Sequence, residues 1–187
     1  MALPLATPGR DETGIRFRLK VCLVGEAGVG KTSLVRRFVL NTFDERYMFT
    51  LGARVMKREV SLTGPGGPPD VVLLLWDVMG ELSFLTLLKE AYFDRAQGVI
   101  VVGDLTHLPT IAQIPVWLEA VRSVAGDIPA ALVGSKADLP ADPAAERAFE
   151  AVAREAKVPV WRTSAKTGEK VEEVFRSLAT AMMQSRS

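Results

Sequence analysis

The feature that most constrains the fold is a glycine-rich octapeptide at residues 25–32, Gly-Glu-Ala-Gly-Val-Gly-Lys-Thr. It matches the pattern G-x-x-x-x-G-K-[ST] without a mismatch. Residues 16–24 before it alternate and then become continuously apolar, which is typical of a strand entering a buried parallel sheet. After it, Leu34, Val35 and Phe38 fall at helical spacing. The order of strand, glycine-rich loop and helix predicts a P-loop, with a purely structural glycine turn as the alternative.

The residue types of this octapeptide suit it to binding phosphate. Glycine permits backbone conformations that turn successive N–H groups toward one point, and the following helix adds the positive end of its dipole. Lys31 would reach the β- and γ-phosphates as a point charge, and the hydroxyl of Thr32 would be a ligand for Mg²⁺. The sequence therefore predicts a nucleoside triphosphate site here.

Beyond the first helix, apolar segments alternate between strand and helix patterns. Five further strands are predicted, at residues 55–62, 70–77, 98–102, 130–134 and 158–161. Later apolar stripes at helical period occupy residues 111–121, 149–156 and 171–178. The alternation predicts an α/β protein of the P-loop NTPase fold, with a doubly wound six-stranded, mostly parallel sheet flanked by about five helices. Pro115 interrupts one of the stripes and indicates a kink or a late helix start.

Length and composition set the expected domain organisation. With 187 residues, 48% of them hydrophobic, the chain is long enough for one domain with a full core. We expect a disordered leader at residues 1–15, which is rich in proline and glycine, a folded domain at 16–183 and a short tail at 184–187. The net charge of +1 argues against a broad nucleic-acid surface, so no nucleic-acid partner is expected.

The chain lacks the sequence signals of secretion, membrane spanning and lipid attachment. Cys22 is the single cysteine, which argues against a disulfide framework, indicates a reducing compartment and is expected in the core. No apolar run approaches the ~18 to 20 residues of a membrane span. The first residues are broken by proline and lack glycine after methionine, and the last ones lack a cysteine for prenylation. We therefore expect a cytoplasmic protein without a lipid anchor.

Two segments beyond the P-loop would complete the phosphate end of such a site. Thr50 is either an ordinary loop threonine or a second ligand of Mg²⁺ and the γ-phosphate. Asp77 ends a buried apolar strand, where a P-loop protein places the carboxylate that holds Mg²⁺. Gly80 would then let a backbone N–H approach the γ-phosphate closely, although an ordinary turn would explain the same two residues.

Two further segments indicate recognition of guanine. They follow the fifth and sixth predicted strands at their carboxyl ends, where open α/β sheets bind ligands. In the first, Asp138 could accept hydrogen bonds from the guanine N1–H and the N2 amino group, and the stem of Lys136 could lie flat on the base. In the second, at residues 164–166, the backbone N–H of Ala165 could donate to the guanine O6.

With these motifs in this order, the chain resembles the Ras superfamily of small GTPases, and its Rab-like branch most closely. The resemblance spans residues 16–183 and rests on five segments, 25–32, Thr50, 76–81, 135–138 and 163–166. It implies a molecular switch that cycles between GTP and GDP with Mg²⁺. It also implies an effector, an exchange factor and a GTPase-activating protein as partners of a monomeric protein.

The resemblance assigns roles to individual residues. Switch I would comprise residues 41–54 and switch II residues 77–92, with Trp76 and Phe84 near the effector surface. Mg²⁺ would be held by Thr32, Thr50 and Asp77. Hydrolysis would depend on Lys31, Thr50, Gly80 and Glu81. The nucleotide would be bound by Gly25, Glu26, Ala27, Gly28, Val29, Gly30, Lys31, Thr32, Ser33, Phe43, Tyr47, Thr50, Gly80, Ser135, Lys136, Asp138, Leu139, Ser164, Ala165 and Lys166.

Departures from the usual residues of the family bear on activity. Glu81 stands where the family usually has a glutamine that orients the attacking water, and Val78-Met79 replaces Thr-Ala. A carboxylate cannot donate a hydrogen bond to a phosphoryl oxygen, and its charge opposes transition-state stabilisation, so we expect slow hydrolysis. Ser135 replaces an asparagine that bridges the base and the P-loop, and we expect weaker binding and faster exchange.

Several functions therefore stay open on the sequence alone. The leading one is a GTP-dependent switch with slow intrinsic hydrolysis. The alternative is a GTP-binding adaptor that hydrolyses little or not at all, which Glu81 and Val78-Met79 favour. An ATP-using P-loop enzyme is disfavoured by Asp138 and Ala165.

Overall fold

One sheet and the helices on its two faces make up the fold. The computed structural model describes residues 17–46, 50, 52–63 and 70–186. The strands of this part are β1 Phe17–Val24, β2 Ala53–Val60, β3 Val71–Val78, β4 Gly98–Asp104, β5 Ala130–Ser135 and β6 Val160–Arg162. The helices are α1 Lys31–Leu40, α2 Leu82–Phe93, α3 Leu108–Ala112, α4 Ile114–Ala125, α5 Pro143–Ala156 and α6 Val171–Gln184.

The sheet has the strand order β2-β3-β1-β4-β5-β6. All neighbouring strands are parallel except β2 and β3, which are antiparallel. One core lies between the sheet and helices α1 and α6, where Phe38 and Phe175 stack with ring centroids 3.9 Å apart. A second core lies under α2 to α5 on the opposite face. The predicted α/β class and the doubly wound, six-stranded, mostly parallel sheet are therefore confirmed.

Strands of the sheet centre are apolar on both faces because helices cover both faces. Every residue of β4 is buried, and β3 is buried except where Leu74 and Trp76 are partly exposed. Cys22 of β1 is fully buried, as expected, and its thiol lies 3.6 Å from the carbonyl oxygen of Tyr92. Burial raises the pKa of Cys22 to about 12, with Lys20 acting in the opposite direction, so this thiol is protonated and unreactive at neutral pH.

The helix interruption expected at Pro115 takes the form of a new helix start. Helix α3 ends at Ala112, and α4 begins at Ile114 with Pro115 in its first turn. Proline is tolerated there because the first N–H groups of a helix have no acceptor within the helix. With α3 and α4 taken as one interrupted element, the described residues form five helices, the expected number.

The strand bounds differ from the expected ones by one or two residues. The strand expected at 55–62 is β2, Ala53–Val60, because the N–H of Leu62 donates to the Asp70 carboxylate and belongs to the turn. The strand expected at 158–161 is β6, Val160–Arg162, and it starts after Pro159, which has no N–H for a strand ladder.

The predicted leader, residues 1–15, lies outside the described residues. Among the described residues, no helix combines the length and apolarity that crossing a membrane requires.

Candidate functional site

A cleft of about 420 Å³ lies at the carboxyl ends of the parallel strands. Predicted nucleotide residues from distant parts of the chain line it together: Ala27, Gly28, Val29, Gly30, Lys31, Thr32, Ser33, Phe43, Thr50, Gly80, Ser135, Lys136, Asp138, Leu139, Ala165 and Lys166. Gly25, Glu26 and Ser164 are not among the lining residues, and Tyr47 lies outside the described residues. The position matches the rule that open α/β sheets bind ligands beyond the carboxyl ends of their strands.

The loop between β1 and α1 has the backbone geometry of a phosphate cradle. Gly25, Gly28 and Gly30 have φ values of 136°, 78° and 98°, in the left-handed region that favours glycine. A Cβ atom on Gly25 would lie 2.1 Å from the carbonyl oxygen of Val102, so no larger residue fits there. Among the described residues, the backbone N–H groups of residues 28–33 find no protein acceptor. Free amides at a helix N-terminus attract an anion.

Lys31 is buried at the start of α1, with 6% of its surface exposed. Its ammonium donates hydrogen bonds to the carbonyl oxygens of Gly25, at 2.7 Å, and Glu26, at 2.8 Å. Burial lowers the pKa of Lys31 to about 8, against the opposing effect of the Asp77 and Glu26 carboxylates. A buried cation with only neutral acceptors gains from the approach of a phosphate, which supplies full negative charge.

The structure brings Thr32, Thr50 and Asp77, the predicted Mg²⁺ ligands, into contact at the start of α1. The Thr32 hydroxyl lies 3.0 Å from the Thr50 hydroxyl and donates to Oδ2 of Asp77 at 2.5 Å. Asp77 is 1% exposed, and within the described part of the chain its Oδ1 has no hydrogen-bond partner. Burial raises the pKa of this carboxyl group, and the Thr32 hydrogen bond partly offsets the effect. An unpaired carboxylate oxygen beside two hydroxyls is a set of hard donors that fits Mg²⁺.

Of two predicted switch II residues, Gly80 lines the cleft and Glu81 does not. Gly80 packs against the P-loop so closely that a Cβ there would lie 2.4 Å from the backbone nitrogen of Ala27. Glu81 is half-buried at the start of α2, where its side chain makes no capping hydrogen bond, and it is not among the residues lining the cleft. Gly80 is thus placed beside the P-loop backbone, and the role of Glu81 stays a prediction. The side chain of Phe84 lies outside what the structure describes.

At the base end of the cleft, Ser164 orients Asp138. The fully buried Ser164 hydroxyl donates to Oδ1 of Asp138 at 2.6 Å and accepts from the N–H of Thr167 at 3.1 Å. Lys136, with a positive φ of 60°, makes an ion pair with Asp104 in which Nζ and Oδ2 are 2.5 Å apart. These contacts hold the side chains of Asp138 and Lys136, which the sequence assigned to guanine binding, in place without the help of a ligand.

Ser135, which replaces the usual asparagine, connects its loop to the P-loop. Its buried hydroxyl lies 2.6 Å from the carbonyl oxygen of Val29 in the P-loop and 3.1 Å from that of Gly103. The single hydroxyl proton can be donated to one of these acceptors at a time. The connection between this loop and the P-loop therefore exists without an asparagine, and the expected weaker binding and faster exchange stay predictions.

Sequence reasoning missed some residues of the site. Additional lining residues are Leu34, Arg36, Thr42, Asp44, Glu45, Arg46, Val78 and Thr163. Trp117 is fully buried in the core, and its indole N–H donates to the Glu26 carboxylate of the P-loop at 3.0 Å. The available signal was that a buried tryptophan N–H usually requires an acceptor.

The doubly wound sheet, the P-loop after β1 and the acidic residue near the end of β3 define the class of P-loop nucleotide-binding proteins. Within that class the chain belongs to the Ras family, whose family pattern matches residues 20–184. Members of this family bind GTP and GDP, generally with Mg²⁺, and act as switches with regulators and effectors.

Curated relatives support the predicted Rab-like branch. Ras-related protein SEC4 of Saccharomyces cerevisiae is 34% identical over 167 residues, which cover 89% of this chain and 75% of the relative. Ras-related protein Rab-13 of Rattus norvegicus is 33% identical over 162 residues, 86% of this chain and 77% of the relative. Ras-related protein RABE1e of Arabidopsis thaliana is 33% identical over 180 residues, 95% and 80% of the respective chains.

Proposed function

We propose that this protein is a Mg²⁺-dependent GTP-binding switch that alternates between GTP and GDP states and hydrolyses GTP slowly on its own. The observation that carries the proposal is the meeting of Thr32, Thr50 and Asp77 beside the buried Lys31 at the N-terminus of α1. Membership of the Ras family supports the GTPase activity in general. The Mg²⁺ dependence and the slow rate are inferences from the residues of this chain.

At the phosphate end of the cleft, backbone amides and side chains would bind and orient the nucleotide. The amides of residues 28–33 would donate to phosphate oxygens, and Lys31 would exchange its carbonyl acceptors for phosphate oxygens. Mg²⁺ held by Thr32, Thr50 and Asp77 would neutralise charge on the β- and γ-phosphates. Because Thr50 lies in a loop, its position would depend on whether the third phosphate is present.

At the base end, the pre-oriented Asp138 carboxylate would accept hydrogen bonds from the guanine N1–H and N2 amino group. Adenine lacks this pair of donors, so the carboxylate would select guanine. Lys136 and Phe43 would contact the base through their apolar surfaces, since both line the cleft. Ala165 would donate its N–H to the guanine O6.

Nucleotide content and competition test the binding proposal. We expect the purified protein to retain GDP or GTP, GTP to displace bound nucleotide far better than ATP, and EDTA to accelerate release by removing Mg²⁺. Asp77→Asn, which removes the negative charge offered to the metal while keeping the shape of the side chain, should make release insensitive to EDTA. Preference for ATP, or release that EDTA leaves unchanged in the parent, would overturn the proposal.

Slow hydrolysis is inferred from Glu81 at the start of switch II. Its carboxylate can accept a hydrogen bond from water but cannot donate one, and it adds negative charge near a group already rich in it. We therefore expect single-turnover hydrolysis at or below the ~10⁻⁴ s⁻¹ scale of unaided family members. Glu81→Gln should be faster, whereas Glu90→Gln, the same charge change on the exposed face of α2, should match the parent.

The outcome of this comparison also decides between the switch and the adaptor. A Glu81→Gln rate equal to or below that of the parent would refute the role of this residue. No detectable turnover in parent and variant, with intact GTP binding, would favour the adaptor that hydrolyses little or not at all.

We further propose that residues 16–183 form a single monomeric G domain that works in the cytoplasm. The buried position of Cys22 and its status as the only cysteine support a reducing compartment. Effectors and regulators would contact switch I, residues 41–54, and switch II, residues 77–92. Sedimentation of the GDP- and GTP-loaded protein tests the monomeric state, and a loading-dependent dimer would contradict it.

A further inference from the structure

Arg37, in the last turn of α1, connects the two loops that border the base end of the cleft. Its Nε donates to the carbonyl oxygen of Ala165 at 2.6 Å, and its Nη2 donates to that of Lys166 at 2.7 Å. Its Nη1 donates to the backbone and side-chain oxygens of Asn41, at 3.2 Å and 3.1 Å. One planar guanidinium thus holds the loop after β6 and the first residue after α1.

The same loop is held from its other side by its own backbone. The carbonyl oxygen of Ser164 accepts from the N–H of Gly168 at 2.8 Å, which fixes the peptide group that carries the Ala165 N–H. Arg37 fixes the next two carbonyl groups. Ala165 lines the cleft, and within the described part of the chain its N–H donates to no protein acceptor. Since backbone donors rarely stay unpaired, this amide is available to a ligand.

We propose that Arg37 is the positioning residue for guanine recognition: by binding two consecutive carbonyl oxygens it holds the Ala165 N–H toward the O6 atom of the base. This inference rests on the proposed binding of guanine nucleotides. Arg37 does not line the cleft, so it acts on the base only through the loop. Through Asn41 it also joins this loop to the start of switch I.

Arginine is required for this role because of its geometry. Lysine offers one ammonium centre at the end of a flexible stem and cannot bind two carbonyl groups and Asn41 in one plane. Loss of hydrogen bonds from a charged donor would let the loop sample conformations in which Ala165 turns away from the base. From the usual strength of such bonds we expect GDP to dissociate about tenfold to a hundredfold faster in Arg37→Ala, and Arg37→Lys to lie between this variant and the parent.

The test compares three nucleotides on the full chain with the parent, Arg37→Lys and Arg37→Ala. GDP and IDP both carry an oxygen at position 6, whereas ADP carries an amino group that cannot accept from the Ala165 N–H. Dissociation constants come from competition against a fluorescent guanine nucleotide, with ADP at millimolar concentration. We expect GDP and IDP to weaken by the same factor in the Arg37 variants, and ADP to keep its affinity.

A matched control is available in Arg58→Lys. Arg58 of β2 likewise donates to a backbone carbonyl, that of Phe38, and to the Glu172 carboxylate at 2.7 Å, but its acceptors do not line the cleft, unlike Ala165 and Lys166. This variant should leave all three affinities at parental values. Thermal unfolding of each variant reports any loss of fold, and Arg37→Lys provides the reading if Arg37→Ala does not fold.

The outcomes separate the two proposals. Equal weakening of GDP, IDP and ADP, or no change in any of them, would overturn the positioning role of Arg37 and leave the GTP-binding function intact. A parent protein that binds ADP as tightly as GDP would refute the proposed function itself, and the role of Arg37 with it.

Discussion

The hydrogen bond between Trp117 and Glu26 should be measurable as a coupling energy. The indole N–H of Trp117, a fully buried residue of α4, donates to the Glu26 carboxylate at 3.0 Å. Glu26 also gives its backbone carbonyl oxygen to Lys31, and its carbonyl carbon would lie 2.5 Å from a Cβ on Gly80. The bond therefore fixes a part of the P-loop that both the phosphate-binding lysine and switch II contact.

The coupling energy is obtained from a double-mutant cycle of the parent, Trp117→Phe, Glu26→Ala and the double variant. A hydrogen bond to a charged group contributes about 1.5 to 3 kcal/mol to stability. Trp117→Phe also shrinks a buried side chain, which costs about 1 kcal/mol or more by itself. In the double-mutant cycle this packing cost cancels, so the coupling energy isolates the hydrogen bond. Because Glu26 is half-buried and water can replace part of the lost bond, we expect a coupling near the lower end, about 1.5 kcal/mol.

Chemical denaturation of the four proteins, each loaded with GDP at the same excess, gives the free energies of unfolding. Equal loading matters because bound nucleotide stabilises the folded state by mass action. Additive effects, with a coupling below about 0.5 kcal/mol, would refute the reasoning. Glu26→Gln, whose amide oxygen still accepts from the indole, should retain most of the stability that Glu26→Ala loses.

Further predictions concern a buried thiol and a strained glycine. The folded pKa of Cys22 is raised from 9.0 to about 12, so its contribution to stability is complete below pH 9 and is lost as the pH rises from 9 to 12. Between pH 8 and pH 10, the free energy of unfolding should therefore fall less steeply with pH for Cys22→Ala than for the parent. The two slopes should differ by up to about 1.4 kcal/mol per pH unit, and equal slopes would contradict the prediction. Gly25→Ala should cost about 2 to 6 kcal/mol in thermal or chemical unfolding, because it adds a steric clash to an unfavourable φ. Gly126→Ala shares the positive φ but has open space around it and should cost only about 1 to 3 kcal/mol; equal losses would refute the clash.

The parts of the fold that the sequence predicted are those set by local pattern. The P-loop follows from eight consecutive residues, and β4 follows from an apolar run that only a strand covered on both faces can bury. The interruption near Pro115 was expected because proline restricts its own neighbourhood. The end of β2 was misplaced because it depends on a hydrogen bond from Leu62 to Asp70, a turn contact that periodicity does not encode.

The contacts that hold the candidate site together could not be predicted in the same way. Ser135 and Val29 are 106 positions apart, and Arg37 and Ala165 are 128 apart. Each pair meets because the strand order brings their loops to one edge of the sheet, and the hydrogen bond then depends on distances of a fraction of an ångström. Motifs predicted Ser135 and Ala165 as ligand residues, but nothing local to Arg37 indicated its acceptors.

Helix α1 contributes to both ends of the cleft, and this bears on how substitutions should affect nucleotide binding and hydrolysis. Its first turn carries Lys31 and Thr32 at the phosphates, and its last turn carries Arg37 at the loop beside the base. A short rigid helix thus fixes the distance between the phosphate and base contacts, which favours tight binding of a whole nucleotide. Among the residues assigned to hydrolysis, Glu81 lies apart from α1 and precedes α2 without a capping hydrogen bond of its own. Substitutions in α1 should therefore change nucleotide affinity, whereas substitutions at the start of α2 should change the hydrolysis rate with little effect on affinity.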